Sequence, residues 1–530
     1  GFIVLLMGQA HAVEELPEIE VVGTSLLPGL EIEKEKLPYE VRSLKSENLG
    51  NETSLGIADV MNQYIPGVFT NEVQGSPYQG DVTYRGFRAS SILGAAQGLS
   101  VYIDGIRINE PFGDVVNWDM IPEFSLDNIS LIPGSNPMYG LNTLGGALSL
   151  TTKSGLSHPG KVARVSFGSF SRKKLDISVA GKFSAGSGGD YFISASRFDE
   201  SGWRDYSDGK ISNIFGKANK NTDFGSVGIM TYFGDSDLLG NGLLPSTNFG
   251  VEDDVGEIRE SGLYEARRQA VYSHPDQTKN EVGLISLNFQ NYLDDDTQLN
   301  GLIYHRYGRQ KRLGGDVEAE FESDENEWEF EGEFNNSKTR QNSSGFGLNF
   351  SKILDNHQIT TGVTFDQSSV SYHATETEDC EVNSIRKVIC DDDSETEDSA
   401  KVSGKSKTYS LFASDTTEVS GGIFVTGSLR YNHSKVENTL STPAEGIKEL
   451  VAQPKESFNY SKLNPALGIS AKLDNGLNLF ANASQGNRVP TVIELGCADK
   501  DNPCLLPTGL QADPFLEQVI SRTYEIGARG

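Results

Sequence analysis

From about Lys161 onward, apolar and polar side chains alternate with a period of two. Leu463, Pro465, Leu467, Ile469, Ala471 and Leu473 face one way, and Asn464, Ala466, Gly468, Ser470 and Lys472 the other. Leu477, Leu479, Ala481 and Ala483 alternate in the same way with Asn478, Phe480, Asn482 and Ser484. So do Ile423, Val425, Leu429 and Tyr431 with Phe424, Thr426, Ser428 and Arg430, and Leu175, Ile177, Val179 and Phe183 with Asp176, Ser178, Ala180 and Lys182. Each run is a strand with one apolar and one polar face.

Turn spacing narrows the architecture. Tight polar turns fall at Asp294-Asp295-Asp296, Leu354-Asp355-Asn356, Ser420-Gly421-Gly422 and Asp474-Asn475-Gly476. Long polar excursions lie between them, near 235–277, 309–340, 373–404, 435–459 and 487–518. Short turn, strand, long loop, strand is the plan of a transmembrane β-barrel. A soluble sandwich keeps both sets of connections short, with turns every ~8–12 residues. About 14 strands are expected after residue 160. No run of about 18 apolar residues is present, so no helix is expected to span a bilayer.

Residues 43–155 follow a different grammar. They hold short mixed elements, a helical stretch near Leu55–Tyr64 stopping before Pro66-Gly67, and Gly-centred turns. This predicts a compact α+β domain. Residues 13–42 are acidic and Pro-punctuated, without a clear period, and are expected to be a flexible segment. Phe2-Ile3-Val4-Leu5-Leu6-Met7, then Ala10-His11-Ala12, fits the apolar core and cleavage site of a secretory signal over residues 1–12. The signal's basic start is missing and Arg529-Gly530 stops in a strand-like run, so a fragment of a longer protein is expected.

Charge and cysteines set further limits. The chain carries 45 basic and 74 acidic residues, a formal charge of −29, which repels nucleic-acid phosphates. Residues 316–333 hold ten acids and no base, and 376–398 ten acids and two bases, so these two stretches carry −18 of that charge. Asp316, Glu318, Glu320 and Glu322 alternate with Val317, Ala319 and Phe321, so part of the first is expected to extend a strand with an acidic face. An acidic rim concentrates cations; it also serves solubility or bridging of lipopolysaccharide through divalent ions. Calcium at these loops is one expectation, although Asp391-Asp392-Asp393-Ser394-Glu395 lacks the glycine of a calcium loop. The four cysteines form two close pairs in polar segments and are read as Cys380–Cys390 and Cys497–Cys504 disulfides of an exported protein, with a metal site the rival. No metal-protease pair, phosphate-binding loop or nucleophile elbow is visible, so no enzyme is expected.

Within 43–155 an ordered series of motifs appears: Ile57-Ala58-Asp59-Val60, Ile65-Pro66-Gly67-Val68, Tyr84-Arg85-Gly86-Phe87, Val101-Tyr102-Ile103-Asp104-Gly105-Ile106, Pro137-Met138-Tyr139-Gly140, and Leu144-Gly145-Gly146 running to Lys153. Their order resembles the plug domain of TonB-dependent outer-membrane receptors. Asn487-Arg488-Val489-Pro490, Glu494-Leu495 and Tyr524-Glu525-Ile526-Gly527 resemble that family's barrel. The resemblance runs from about residue 18 to the end.

It implies an all-β antiparallel barrel of about 22 strands around an α+β plug, with roughly eight strands beyond those counted here. It divides the chain into segment 13–42 with a TonB box, plug 43–155 and barrel 156–530. It implies active uptake of a metal chelate, a ferric siderophore first, across the outer membrane of a Gram-negative bacterium, by a monomer embedded in lipid and lipopolysaccharide. Cobalamin, a copper chelate or a sugar are the other cargoes; a passive porin, a surface adhesin or a secreted β enzyme are rivals of other classes. No covalent cofactor is implied. The TonB contact falls on Glu18, Ile19, Glu20, Val21, Val22, Gly23 and Thr24, a stretch able to add as a strand to a partner's sheet. Only Val13–Pro17 precede it after the signal, so no signalling domain is expected.

Cargo in this family meets the plug apices, which places Gln74, Ser76 and Tyr78, and Phe112, Asn117 and Trp118, as candidate contacts; packing against barrel loops is the other reading of these residues. Pro133-Gly134-Ser135 stands where family plugs often read Arg-Gly-Pro. Arg85 and Glu525 remain as an expected plug–barrel pair, with a backbone-bonded role for Arg85 the alternative.

Overall fold

The computed structural model describes residues 21–23, 31–46, 56–72, 76–183, 188–240, 274–322, 327–383, 387–391, 394–444, 447–473, 476–496 and 516–530. Two short strands come first, β1 (Val21–Gly23) and β2 (Glu31–Glu33), paired antiparallel. The plug follows with β3 (Arg42–Lys45), helix α1 (Ile57–Tyr64), β4 (Val68–Glu72), β5 (Gly80–Tyr84), β6 (Phe87–Ser90), β7 (Leu99–Ile103), β8 (Ile106–Arg107), β9 (Leu126–Pro133) and β10 (Gly146–Thr152). Helix α1 buries Ile57, Ala58, Val60 and Met61 on one face. It stops where Ile65 precedes Pro66, a position whose backbone is pushed out of the helical region. Strands β3-β9-β10-β7-β8 form one sheet and β4-β5-β6 a second. Val60, Met61, Val101, Leu131 and Leu148 close the core between them.

The barrel strands are β11 (Gly160–Phe167), β12 (Lys173–Lys182), β13 (Gly189–Glu200), β14 (Gly209–Thr222), β15 (Gly225–Gly240), β16 (Asp276–Asp294), β17 (Thr297–Glu322), β18 (Glu327–Leu354) and β19 (His357–Val382). After the short β20 (Val388–Ile389) come β21 (Thr396–Ser420), β22 (Ile423–Ala444), β23 (Ile447–Ala452), β24 (Glu456–Lys472) and β25 (Asn478–Arg488). Helix α2 (Val492–Gly496) and β26 (Val519–Arg529) complete the order. Fourteen strands make one antiparallel path from β11 to β26, with β20 beside β19 and β23 beside β22. Neither β11 nor β26 has a further partner among the described residues.

The alternation has an evident cause. Ile177, Ile193, Ile214, Phe233, Leu411 and Leu467 point outward and are exposed; Ser178, Ser194, Asn280, Asn300, Asn432 and Asn464 point inward and are buried. On β21 the outward face carries Val419, Ala413, Leu411 and Tyr409, with Thr417 and Asp415 between them, before Lys407 and Lys405. Ten residues at ~3.3 Å each, tilted about 40°, make roughly 25 Å, the height of a lipid-facing band.

Three excursions read from the sequence as loops are largely strands; that near 435–459 holds the end of β22, all of β23 and the start of β24. The 309–340 and 373–404 stretches are arms of β17–β18 and β19–β21 hairpins. Their ladders continue past the lipid band because backbone groups stay paired, as in Gly314↔Asn335 and Thr377↔Thr396. The Cys380–Cys390 disulfide closes the β19–β20 arm. Cys497 and Cys504 lie outside the described residues. Glu333 sits 21 residues above the short turn after Leu354, about 50 Å up and clear of the lipid. Burial first, then the neighbouring Glu376, pushes its carboxyl up to about 8.

Candidate functional site between plug and barrel

The plug meets the barrel through tight turns. At Arg85-Gly86 and Asp104-Gly105 both central residues have positive φ (49° and 85°, 44° and 84°), the two-residue hairpin turn in which Asp-Gly is favoured. The Asp104 turn throws its carboxylate at two targets. Oδ1 accepts from the Thr152 amide at 2.9 Å, and Oδ2 accepts from Lys217 of β14 at 2.9 Å. The Arg85 turn extends its guanidinium toward β26, with Nη2 3.8 Å from Glu525 Oε1. Arg85 is half exposed, so this contact is loose.

Residues 107–120 form the densest part of the seam. Glu110 is buried and accepts from buried Arg306 of β17. Asn117 donates to Glu110 at 3.3 Å and accepts from Gln310 at 3.4 Å. Asp119 accepts from Asn280 at 2.9 Å and from Ser236. Tyr232 donates to the Met120 carbonyl at 2.6 Å. Arg107 bonds Asp114, and Arg488 of β25 lies 3.9 Å from the same carboxylate. Burial raises the Asp114 carboxyl above its usual range, against the pull of Arg107 and Arg488. Burial raises Asp119 likewise, against its bonds from Ser236 and Asn280.

The expected cargo contacts are placed unevenly. Phe112, Asn117 and Trp118 are all buried. Phe112 stacks on Tyr372 with ring centroids 5.0 Å apart, and its amide donates to Gln341. Trp118 donates to the Ala89 carbonyl at 3.0 Å within the plug. These three therefore fasten the plug in this conformation. Ser76 is buried, while Tyr78 is half-buried with its ring 4.6 Å from Phe198. Gln74 lies outside the described residues. Tyr78 and Ser76 line a cavity of about 380 Å³ with Phe170, Arg172 and Trp203 from the outer ends of β11–β14. That volume lies within the ~300–1,000 Å³ of small-molecule pockets.

At the opposite end a strap seals the seam. The segment expected to be flexible over 13–42 is packed in its later part: Ile32, Leu37, Tyr39 and Val41 are buried. Ser470 donates to the Lys36 carbonyl and Asn478 to that of Glu35. Arg529 donates to the carbonyls of Tyr39 and Leu37. The expected TonB contact precedes this strap. Val21, Val22 and Gly23 form β1, opposite Glu33, Ile32 and Glu31; Glu18, Ile19, Glu20 and Thr24 lie outside the described residues.

Sequence reasoning missed Asp104, Glu110, Asp114 and their barrel partners Lys217, Arg306 and Arg488. The available signal was a set of acids embedded in the apolar-flanked 104–119 stretch, facing lysines and arginines on the polar face of strands. Such an arrangement does no bond chemistry. It fixes one body inside another through charges that water or a ligand can take over.

The family model for the TonB-dependent receptor-like β-barrel matches residues 182–530, and that for the TonB-dependent receptor plug domain matches 33–147. The ferric aerobactin receptor of Klebsiella pneumoniae is 29% identical over 134 residues, 24% of this chain; the chain matches only 16% of that protein's length. Among solved structures, the closed form of the ferric-catecholate import receptor Fiu from E. coli K12 has a TM-score of 0.73 at 15% identity, over 95% of this chain and 73% of that one. The ferric yersiniabactin uptake receptor FyuA from Yersinia pestis gives 0.65 at 13%, over 93% and 70%. At these identities the likeness is one of fold.

Proposed function

The chain belongs to the TonB-dependent receptor family, whose members are outer-membrane β-barrels of Gram-negative bacteria rather than enzymes, and on that premise we propose that it takes up a ferric siderophore across the outer membrane. The observation that carries this reading is the filled barrel. A plug bonded to the inner wall by Lys217, Arg306 and Asn280 stands in the way of passive diffusion. Movement of cargo then needs work on the plug. We assign that work to a TonB partner gripping Glu18–Thr24 by strand addition. Cargo is captured first in the aromatic cavity of Tyr78, Phe170 and Trp203, with Ser76 and Arg172 as polar contacts. Gln74 borders it in sequence. Phe112, Asn117 and Trp118 would reach cargo only after the seam loosens. The protein acts as a monomer in lipid and lipopolysaccharide.

Support for iron comes from relatives: those named above are receptors for ferric aerobactin, ferric yersiniabactin and ferric catecholate. The test is uptake of labelled iron chelates in a receptor-deficient Gram-negative host, with and without Glu18–Thr24. Uptake of one chelate that vanishes on deletion is the expected result. If no iron chelate enters, cobalamin, copper chelates and sugars replace iron as cargo. Uptake indifferent to the deletion would remove the TonB assignment.

A further inference from the structure

The outer face of the wall turns basic where its apolar band stops. On β17 the outward side chains run through Ile303, His305 and Tyr307 to Arg309 and Lys311. On β21 they pass from Leu411 and Tyr409 to Lys407 and Lys405. Strand register joins these cations across the wall. Lys279 of β16 stands opposite Lys311, Lys311 opposite Lys338 of β18, Lys338 opposite His373 of β19, and His373 opposite Lys401 of β21. Five adjacent strands thus present one unbroken row of basic side chains, about 19 Å long at ~4.8 Å per strand. One outward position nearer the lipid, Arg309 stands opposite Arg340.

Such pairing needs a cause. Like charges directly opposite on one face destabilise a sheet, and a chain with 74 acids to 45 bases has acids enough for the partner positions. Three members are neutralised within the wall: Asp237 pairs with Lys279 at 3.1 Å, Glu281 with Arg309 at 3.4 Å, and Asp398 with His373 at 2.8 Å. Among the described residues Lys311, Lys338 and Arg340 have no carboxylate partner. A groove of about 360 Å³ follows the row, lined by Lys279, Lys311, Lys338 and His373 and edged by Gln277 and Asn336. Ammonium groups with amide donors beside them suit an anion with several oxygens.

A second groove, of about 610 Å³, opens on the same face nearer the lipid. Gly283 stands opposite Phe233 on one side and Tyr307 on the other, so a position without a side chain lies between two aromatic rings. Ile214 and Ile285 complete an apolar notch. A Cβ at Gly283 would stand 3.4 Å from the Phe233 ring. The notch is four residues along β16 from Lys279 toward the short turn, roughly 10 Å deeper in the membrane.

We propose that this face seats one phosphorylated glycolipid of the outer leaflet, of the lipid A type, with its phosphates on Lys311, Lys338 and Arg340 and one acyl chain in the Gly283 notch. The inference rests on the outer-membrane barrel and not on the cargo. Chemistry selects the class. The row calls for more than one negative charge, the notch below it for a run of methylenes, and an anionic amphiphile supplies both in that order. A soluble phosphate would leave the notch empty. Bound phosphates cancel the repulsion across β16, β17 and β18, so the lipid tightens the base from which the β17–β18 arm rises.

The test uses the whole protein, freed of lipid in a neutral detergent and titrated with diphosphoryl lipid A while adducts are counted by native mass spectrometry. Lys311→Gln, Lys338→Gln and Arg340→Gln together are expected to weaken binding of one lipid A by about tenfold or more. A control with the same charge change beside the short turns, Lys182→Gln, Lys220→Gln and Lys352→Gln, should keep it within about twofold. Gly283→Leu should weaken it by about threefold or more. Folding has its own readout. Without lipid the triple variant should melt no lower than the unaltered protein, because the like-charged pairs are gone, and lipid A should raise the Tm of the unaltered protein by more than that of the variant. Equal affinity in the triple and control variants overturns the proposal. So does displacement of lipid A by inorganic phosphate at equal phosphate concentration, which would make the row a free-phosphate site. Unchanged affinity in Gly283→Leu overturns the notch. Recovery of the protein with the outer-membrane fraction tests its placement separately.

Discussion

Inside the plug, Val101, Leu131 and Leu148 pack at 1% exposure or less; on its surface the neighbours are Lys217, Arg306 and Asn280 of the wall. The interior is held by apolar burial, which depends only on the plug's own residues and survives displacement as a body. The seam adds polar contacts between two bodies, which are exchangeable for water, to a few apolar ones such as Phe112 on Tyr372 and Tyr139 with Phe412. A body with its own core and a wettable surface can be dislodged without first being unfolded.

The largest effect that would break this contrast is at Glu110. Glu110→Ala leaves Arg306 buried and unpaired, which should destabilise the seated plug by about 3–5 kcal/mol in urea unfolding, with much of the loss recovered when Arg306→Met is added. Equal losses in the single and double variants would mean the seam is not electrostatic. Next, Leu131→Ala should cost about 2–5 kcal/mol and, unlike the seam variant, no second-site change in the wall should rescue it. Asp104→Asn, which weakens the Lys217 bond while leaving the amide contact available, should cost about 1–3 kcal/mol and raise sensitivity of cells to vancomycin. Arg85→Ala should cost less than about 1 kcal/mol, since its contact with Glu525 is long and half exposed; a larger loss would promote that pair into the essential seam.

The smallest effect is a titration outside the membrane. Glu333 titrates near 8 in the folded arm against 4.5 ordinarily. Between those values the folded arm holds a proton that an opened arm releases, so the arm loses stability as pH rises from about 4.5 to about 8. Reduction of Cys380–Cys390 by a water-soluble phosphine should match that of Glu333→Gln at pH 5 and exceed it at pH 9. Identical rates at pH 9 would detach Glu333 from the arm's stability.

The wall was legible because lipid on one side and a polar lumen on the other impose a period of two on every strand, as at Leu463–Lys472. The arms were mostly misread for the same reason: beyond the lipid nothing demands an apolar face, so the 373–404 stretch looks like loop although the ladder continues, and only the alternation from Asp316 to Glu322 gave its strand away. The seam was barely legible. Glu110 and Arg306 are 196 residues apart, and Ser135 and Thr523 are 388 apart. No local pattern links such positions; only the curvature of the wall around the plug brings them together. Arg85 and Glu525 were found through family motifs, not through period or spacing.

The small hairpin of β1 and β2 has a mechanical meaning. Its outer pair, Val21↔Glu33, lies beside the strap that Arg529 anchors. Tension applied ahead of Val21 loads one pair at a time, from Val21↔Glu33 to Gly23↔Glu31, so the hairpin unzips under low force. The 12 residue steps from Val21 to Glu33 then pay out roughly 40 Å of chain before the strap feels the load. Such slack sets a threshold on stroke length: a pull shorter than that leaves the plug seated, and only a longer one reaches it.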